Sequence, residues 1–192
     1  MTGDATGREL GFWPRNEGVR ALVLGLGYGV IALLCLTVSR FGSAVESIWL
    51  PNALLVAALV LSSTRLWPLL VLSAGLGHVT AHILVGDELD FVLAILASDV
   101  TEALLCAWLF KARPKALAFE DKAGLLYFFA VIVTSALVST IVVAGTTRAI
   151  GEPLIADDLL VWFAVDTLGL MVFLPVFYGF NETHWRRLRE KR

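Results

Sequence analysis

The chain alternates between long apolar runs and short clusters of polar and charged residues. Most of the runs reach the length of about 20 residues that an α-helix needs to cross a bilayer. The pattern therefore predicts an all-α fold, a polytopic transmembrane helix bundle with about six spans. The predicted spans are residues 21–41, 48–63, 66–85, 91–110, 123–147 and 159–180.

The second run, residues 48–63, is shorter than the lower limit of about 17 residues for a full crossing. We expect it to be thin, locally irregular or buried among its neighbours, because broken backbone is tolerated at membrane depth only inside protein. Pro51 near its start suits the first turn of a helix, where the missing amide donor costs nothing. This run is the weakest of the six.

Composition agrees with a membrane protein of one domain. Hydrophobic residues make up 58% of the 192 positions and charged residues only 17%, whereas about a quarter is usual for soluble domains. No basic face suited to nucleic acid is present. The two cysteines, Cys35 and Cys106, lie inside predicted spans and form neither a disulfide framework nor a CxxC motif.

Lysine and arginine are distributed unevenly between alternate loops. Thirteen lie on one side of the predicted bundle and two, Arg40 and Arg148, on the other, where the loops are acidic. Because cytosolic loops hold the excess of basic residues, both termini are expected in the cytosol. The expected division is a tail at 1–20, a six-span membrane domain at 21–180 and a juxtamembrane segment at 181–192.

Glycines in the first and third spans indicate close helix packing, since small residues let helix backbones approach in a membrane. Packing inside the chain is favoured over a dimer seam. The glycines concerned are Gly25, Gly27, Gly29, Gly75 and Gly77.

Within a span a charge costs about 2.5 to 3.5 kcal/mol on insertion scales, and five ionisable residues at membrane depth stand out. They are His78, His82, Asp99, Glu102 and Asp166. The spacings i, i+4 and i, i+3 place each of the first two pairs on one helix face. At about 1.5 Å per residue, four of the five fall in the outer half and Glu102 near the middle.

These groups are therefore candidates for a ligand site in a cavity that opens away from the cytosol. Trp49, Asn52 and Trp162 are expected at the same outer level, as its rim. Two other interpretations stay open: the groups pair with one another to hold helices in register, or His78 and His82 bind a metal such as zinc or copper with nearby carboxylates.

Signatures of catalysis are missing from the sequence. It contains no GxSxG elbow, no HExxH and no glycine-rich phosphate loop between a strand and a helix. It also lacks the Gly-x-Ser-Gly of a rhomboid-like intramembrane protease. We expect no enzymatic activity in this chain, and no motif identifies a cofactor.

Several short segments, in order, resemble the first membrane-associated sensor (MASE) domain family. The second span opens with a Trp-x-Pro, the fourth carries a segment similar to the family's Asn-x-x-Glu-Ala with Asp99 at the Asn position, and the sixth carries Trp-x-x-x-Asp-x-x-Gly followed by Pro175. The matching segments are residues 48–53, 66–68, 72–75 with His78, 97–104 and 162–169.

The resemblance implies an integral membrane input module of bacterial histidine kinases and diguanylate cyclases, located in the bacterial inner membrane. Residues 21–180 would be the sensor domain and residues 181–192 the linker to an output domain. The module would bind a small ligand or ion, pass a conformational signal through the sixth span and residues 181–192 to a cytosolic output domain, and work as a homodimer. The alternative is the substrate-binding membrane subunit of a vitamin-type importer, with the same outward cavity as its site.

Overall fold

The computed structural model describes residues 16–42, 49–113, 117 and 121–179, and every regular element among them is helical. A single 3-10 turn, Thr64–Leu66, joins the second and third α-helices. The predicted all-α fold is confirmed. The six α-helices are α1 Glu17–Gly42, α2 Pro51–Leu61, α3 Trp67–Val85, α4 Leu89–Ala112, α5 Lys122–Ala149 and α6 Ala156–Gly179.

Local sequence explains where several helices begin and end. Pro68 lies in the first turn of α3, where proline is tolerated. The Asp121 side chain caps α5 by accepting a hydrogen bond of 2.5 Å from the backbone amide of Gly124. Gly86 and Gly151 follow α3 and α5 with φ of 92° and 89°, the left-handed conformation that glycine adopts without strain.

Five helices are long and apolar enough to cross a membrane, while α2 has only 11 residues. At 1.5 Å per residue α2 is about 16 Å long, about half of a hydrocarbon core of about 30 Å. It starts three residues after the predicted start of the second span, and Ile48 itself lies outside the described residues. Most of its residues are buried, so α1, α4 and α6 shield it from lipid.

Successive helices run in opposite directions, so the helix ends and the connections between them collect at two ends of the bundle. These two ends differ in charge. At one end, Lys111 Nζ donates to the Ser62 carbonyl at 2.6 Å, and Tyr127 donates to the Leu109 carbonyl at 2.8 Å. We call this the basic end, with Arg20, Arg65, Lys111, Arg113 and Lys122. The opposite, acidic end carries Asp87, Glu88, Asp90, Glu152, Asp157 and Asp158.

Helices α1 and α3 run parallel with their backbones in contact. A Cβ added to Gly25 would meet Ser73, and one added to Gly77 would meet the Gly25 carbonyl oxygen and lie 3.0 Å from the Gly29 amide. Ser73 Oγ also donates to the Ala21 carbonyl at 2.5 Å. Three of the predicted glycines therefore serve packing inside the chain.

Replacing Gly77 by alanine should destabilise the bundle by about 1 to 3 kcal/mol, the usual range for overpacking. The matched control is Gly75→Ala, because a Cβ there meets only the flexible Leu96 side chain at 3.7 Å. That variant should gain stability slightly, since alanine favours a helix over glycine by about 1 kcal/mol. Reversible unfolding in mixed micelles measures both; equal effects at the two positions would contradict the close α1–α3 contact.

Candidate functional site

The first turn of α2 lies beside two carboxyl groups of α4. The Asn52 side-chain amide donates to Asp99 Oδ1 at 3.1 Å and to Glu102 Oε2 at 2.6 Å. Its carbonyl oxygen accepts from the Tyr28 hydroxyl at 2.9 Å, and that hydroxyl also lies 3.5 Å from Asp99 Oδ2. Asn52 thus links α1, α2 and α4 through one buried polar group, which we call the Asn52 cluster: Tyr28, Asn52, Asp99 and Glu102.

The cluster lies about halfway along the bundle. Asp99 is about 15 Å along α4 from Leu89, in a helix of 24 residues whose length is about 36 Å. Helix α2 therefore begins near mid-depth and runs only to the basic end. Its amino terminus carries the positive end of the helix dipole, which favours the carboxylates beside it.

Two histidines of α3 extend this group towards the acidic end. His78 Nδ1 lies 3.2 Å from Asp99 Oδ2, within ion-pair distance. His82 Nδ1 lies 2.8 Å from Asp87 Oδ2, and the two imidazole centroids are 4.4 Å apart. The Trp49 ring packs 5.9 Å from each histidine ring.

Gly86 brings Asp87 back over His82. The left-handed turn at Gly86, with φ of 92°, is closed by a hydrogen bond of 3.1 Å from the Asp87 amide to the His82 carbonyl. The Asp87 carboxylate consequently reaches the His82 ring of the preceding helical turn. Asp87 is partly exposed, at 20%, whereas both histidines are buried.

A second polar group connects α4, α5 and α6. Ser98 and Ser139 place their hydroxyls 2.7 Å apart, and Ser139 donates to Asp166 Oδ2 at 3.2 Å. Trp162 Nε1 lies 3.4 Å from the same Ser139 hydroxyl. Because Ser98 and Asp99 are consecutive in α4, this group adjoins the Asn52 cluster.

The structure divides the predicted site residues between these two groups. His78, His82, Asp99, Glu102, Trp49 and Asn52 belong to the first, and Asp166 and Trp162 to the second. Asn52 and Trp49 are 1% and 4% exposed, so they lie inside the bundle and not at an open rim. The reason is that α2 begins deep in the bundle, which the apolar pattern does not reveal.

Sequence reasoning missed four polar contributors: Tyr28, Asp87, Ser98 and Ser139. Tyr28 is fully buried inside a glycine-rich apolar run. Its position one helical turn after Gly25, which was predicted to pack against another helix, was the signal in the sequence that it is buried. Asp87 was assigned to an acidic outer loop; the glycine before it indicated a turn back towards α3. Ser139 gave no signal that separates it from the other hydroxyl residues of α5.

Several buried polar atoms of the site make no hydrogen bond with the described residues. They are Trp49 Nε1, both ring nitrogens of His78, His82 Nε2 and Glu102 Oε1. An unsatisfied buried polar atom costs about 1 to 3 kcal/mol. Within the described ranges, no group of three or more His, Cys, Asp or Glu side chains is placed to hold a metal ion.

Fold and site together define a multi-pass membrane protein whose interior carries ionisable groups on four of its helices. Comparison with known proteins gives its family: residues 19–192 match the MASE1 model. The chain therefore belongs to the MASE1 family of membrane-associated sensory input domains, which confirms the predicted resemblance.

A relative in Escherichia coli (strain K12), the probable diguanylate cyclase DgcE, is 27% identical over 172 residues. The match covers 88% of this chain and 15% of that protein, so the chain spans about a seventh of the relative's length. No solved structure matches the chain.

Removing the Asn52 amide should destabilise the bundle through its carboxyl partners. In Asn52→Ala, Glu102 Oε2 and Asp99 Oδ1 lose their donor, at a cost of about 1 to 3 kcal/mol. Combined with Glu102→Gln in a double-mutant cycle, the coupling should be about 0.5 to 3 kcal/mol. Unfolding in mixed micelles provides the measurement.

Thr101→Val is the control for that cycle. The Thr101 hydroxyl bonds only to the Ala97 carbonyl of its own helix, at 2.7 Å on the exposed face, so its removal should couple to neither substitution. Additive effects of Asn52→Ala and Glu102→Gln would show that the 2.6 Å contact carries no stability.

Proposed function

We propose that this chain is a sensory input domain whose ligand binds at the Asn52 cluster and the adjoining histidine pair. The observation that carries the proposal is the set of buried, unsatisfied polar atoms around the amino terminus of α2: Trp49 Nε1, His78 Nε2, His82 Nε2 and Glu102 Oε1. A group that binds them recovers part of their desolvation cost. The ligand enters from the acidic end or from within the membrane.

Buried ionisable groups in a membrane bundle usually mark a functional site. A register-fixing role alone would pair each group with another, as Asn52 does for Asp99. It does not account for Glu102 Oε1, which lies in a fully buried side chain and bonds to no described residue. This favours a binding role over a purely structural one.

The signal passes from α2 to α6. Helix α2 packs against α6, and the Trp49 carbonyl lies where a Cβ on Gly169 would be. A ligand that binds the two arrangements of α2 with different affinity shifts their populations by that difference. Helix α6 carries the shift towards Gly179 and on through residues 181–192, which lie outside the described residues.

The remaining parts of the proposal follow the family and the charge pattern. The basic end faces the cytosol, both termini are cytosolic, and the domain lies in the inner membrane. The functional parts are the tail 1–20, the sensor 21–180 and the linker 181–192. Catalysis belongs to a cytosolic output domain, a diguanylate cyclase or a histidine kinase. Because such output domains work in pairs, the protein acts as a homodimer.

The importer interpretation uses the same cluster as a substrate site. Association with ATPase subunits would favour it. Membership of the MASE1 family and the likeness to a diguanylate cyclase support the sensor instead.

The direct test replaces the matching membrane region of DgcE by this chain and measures cyclic di-GMP in cells. Glu102→Gln and Asp99→Asn should each change the output at least about fivefold, the lower end of allosteric coupling energies. Asp90→Asn, an exposed acid at the start of the same helix, is the control and should leave output unchanged. Wild-type output in both cluster variants would overturn the proposed site.

The α2–α6 contact has its own test in the same chimera. Gly169→Ala forces a methyl group against the Trp49 carbonyl, so α6 must move away from α2 and output should change. Gly145→Ala is the control, because a Cβ there meets nothing within 4 Å. Equal output from both variants would exclude α6 contact as the route of the signal.

A further inference from the structure

One row of ionisable groups leads from the acidic end to the middle of the bundle. It begins at the partly exposed Asp87, whose Oδ2 lies 2.8 Å from His82 Nδ1. The His82 ring stacks at 4.4 Å on the His78 ring. His78 Nδ1 then lies 3.2 Å from Asp99 Oδ2.

Each imidazole ring has Nδ1 beside a carboxylate oxygen and a buried Nε2 that makes no hydrogen bond with the described residues. His82 Nδ1 shares a hydrogen bond with Asp87, whereas His78 Nδ1 lies 3.2 Å from Asp99 without the alignment of a hydrogen bond. Imidazole takes up a proton on one nitrogen and releases one from the other. Such a pair of rings, with a carboxylate at each end, is suited to proton transfer.

From this geometry we propose that Asp87, His82 and His78 form a proton-entry path from the acidic end to the Asp99–Asn52–Glu102 carboxyl group. The ligand of the sensory site is then a proton taken from the outer side. This inference rests on the proposed function, because it names the stimulus that acts at the same site.

Among the described residues, no lysine or arginine lies in the middle turns of the helices around the path, although Arg148 stands in the last turn of α5, at the acidic end. Helix α1 contributes Tyr28, α2 contributes Asn52, α4 contributes Asp99, Glu102 and Cys106, α5 contributes the hydroxyls of Ser135 and Ser139, and α6 contributes Asp166. The described lysine and arginine side chains lie at helix ends. The carboxyl groups therefore depend on hydrogen bonds, on the histidines and on protonation to offset their charge.

Each proton that enters can be followed along the path. Asp87 passes it to His82 Nδ1. The two Nε2 atoms make no hydrogen bond in the stacked arrangement, so the rings turn until His82 releases the proton of its Nε2 to His78 Nε2. His78 releases the proton of Nδ1 to Asp99 after its ring turns to align that bond. The net change is one proton gained by the Asp99–Glu102 pair, and both rings return to neutrality with their other tautomer.

Arrival of the proton alters the hydrogen bonds that hold α2. The Asn52 amide donates to both Asp99 and Glu102. The proton arrives on Asp99 Oδ2, which faces His78, and Oδ1 remains an acceptor for the Asn52 amide. The bond to Oδ1 changes from a charge-assisted to a neutral hydrogen bond, which is roughly half as strong. One of the two anchors of α2 to α4 is then weaker, and the equilibrium shifts towards an arrangement in which α2 moves.

The test follows carboxyl protonation in the full chain, held in lipid nanodiscs, by time-resolved infrared spectroscopy after a jump from about pH 8 to about pH 5, the range over which histidine titrates. The expected result is a new carboxylic acid band that is lost in Glu102→Gln or Asp99→Asn. Asp87→Asn and His82→Gln should each slow its appearance by about tenfold, equivalent to about 1.4 kcal/mol in the barrier.

Glu88→Gln is the matched control, because it removes one exposed acid from the same turn without touching the path. Its rate should equal that of the wild type. Two independent path variants guard against one that fails to fold, and circular dichroism checks the helices of each. A band unaffected by Glu102→Gln and Asp99→Asn, or unchanged rates in both path variants, would overturn the proposal.

Repeating the pH jump after treatment with a strong chelator distinguishes proton entry from an effect of a metal bound to the histidines. Loss of the band under these conditions would show that the histidines act through a bound metal, which overturns proton entry. An unchanged band supports it. Failure of the sensor function looks different: the band forms as expected, but Glu102→Gln leaves the cyclic di-GMP output of the chimera unchanged.

Discussion

The Asn52 side chain holds the centre of this bundle together. Polar groups in hydrocarbon must find partners within the protein, because no water is there to supply them. Asn52 satisfies one oxygen of each α4 carboxyl group and accepts from Tyr28. The half-length helix α2 is possible only because its amino terminus has these partners and its sides are covered by neighbouring helices. The placement of α1, α4 and α6 around α2 follows from the same requirement.

Much of this fold could be predicted from the sequence, since spans of about 20 apolar residues have few alternatives in a membrane. The pairing of His78 with His82 was also predictable, because helical spacing fixes which side chains share a face. The position of Asn52 was not. A short apolar run indicates that a helix is incomplete but not at which depth it starts, and that depth decides whether Asn52 lies at the rim or at the centre. Asp87 was missed for a related reason: its contact depends on the backbone turn at Gly86 and not on helical periodicity.

The site explains how this chain accommodates ionisable groups that are costly to bury inside a bilayer. The carboxyl groups of α4 lie beside the positive end of the α2 dipole and the Asn52 amide, so part of their desolvation cost is offset by fixed partners. The part that remains resides in atoms such as Glu102 Oε1 and His82 Nε2, which no described residue satisfies. This incomplete compensation leaves the arrangement of α2 sensitive to a small chemical change nearby.

The glycine contact between α1 and α3 has a mechanical consequence. Where Gly25, Gly29 and Gly77 meet, backbone lies against backbone and few side chains separate the helices, so α1 and α3 should move together as one rigid unit. His78 and His82 belong to this unit, whereas Asp99 and Glu102 belong to α4. A displacement between the two would therefore be taken up at α2, the shortest helix, whose first turn bonds to α4 through Asn52. The close contact between α1 and α3 therefore determines where in the bundle such a movement occurs.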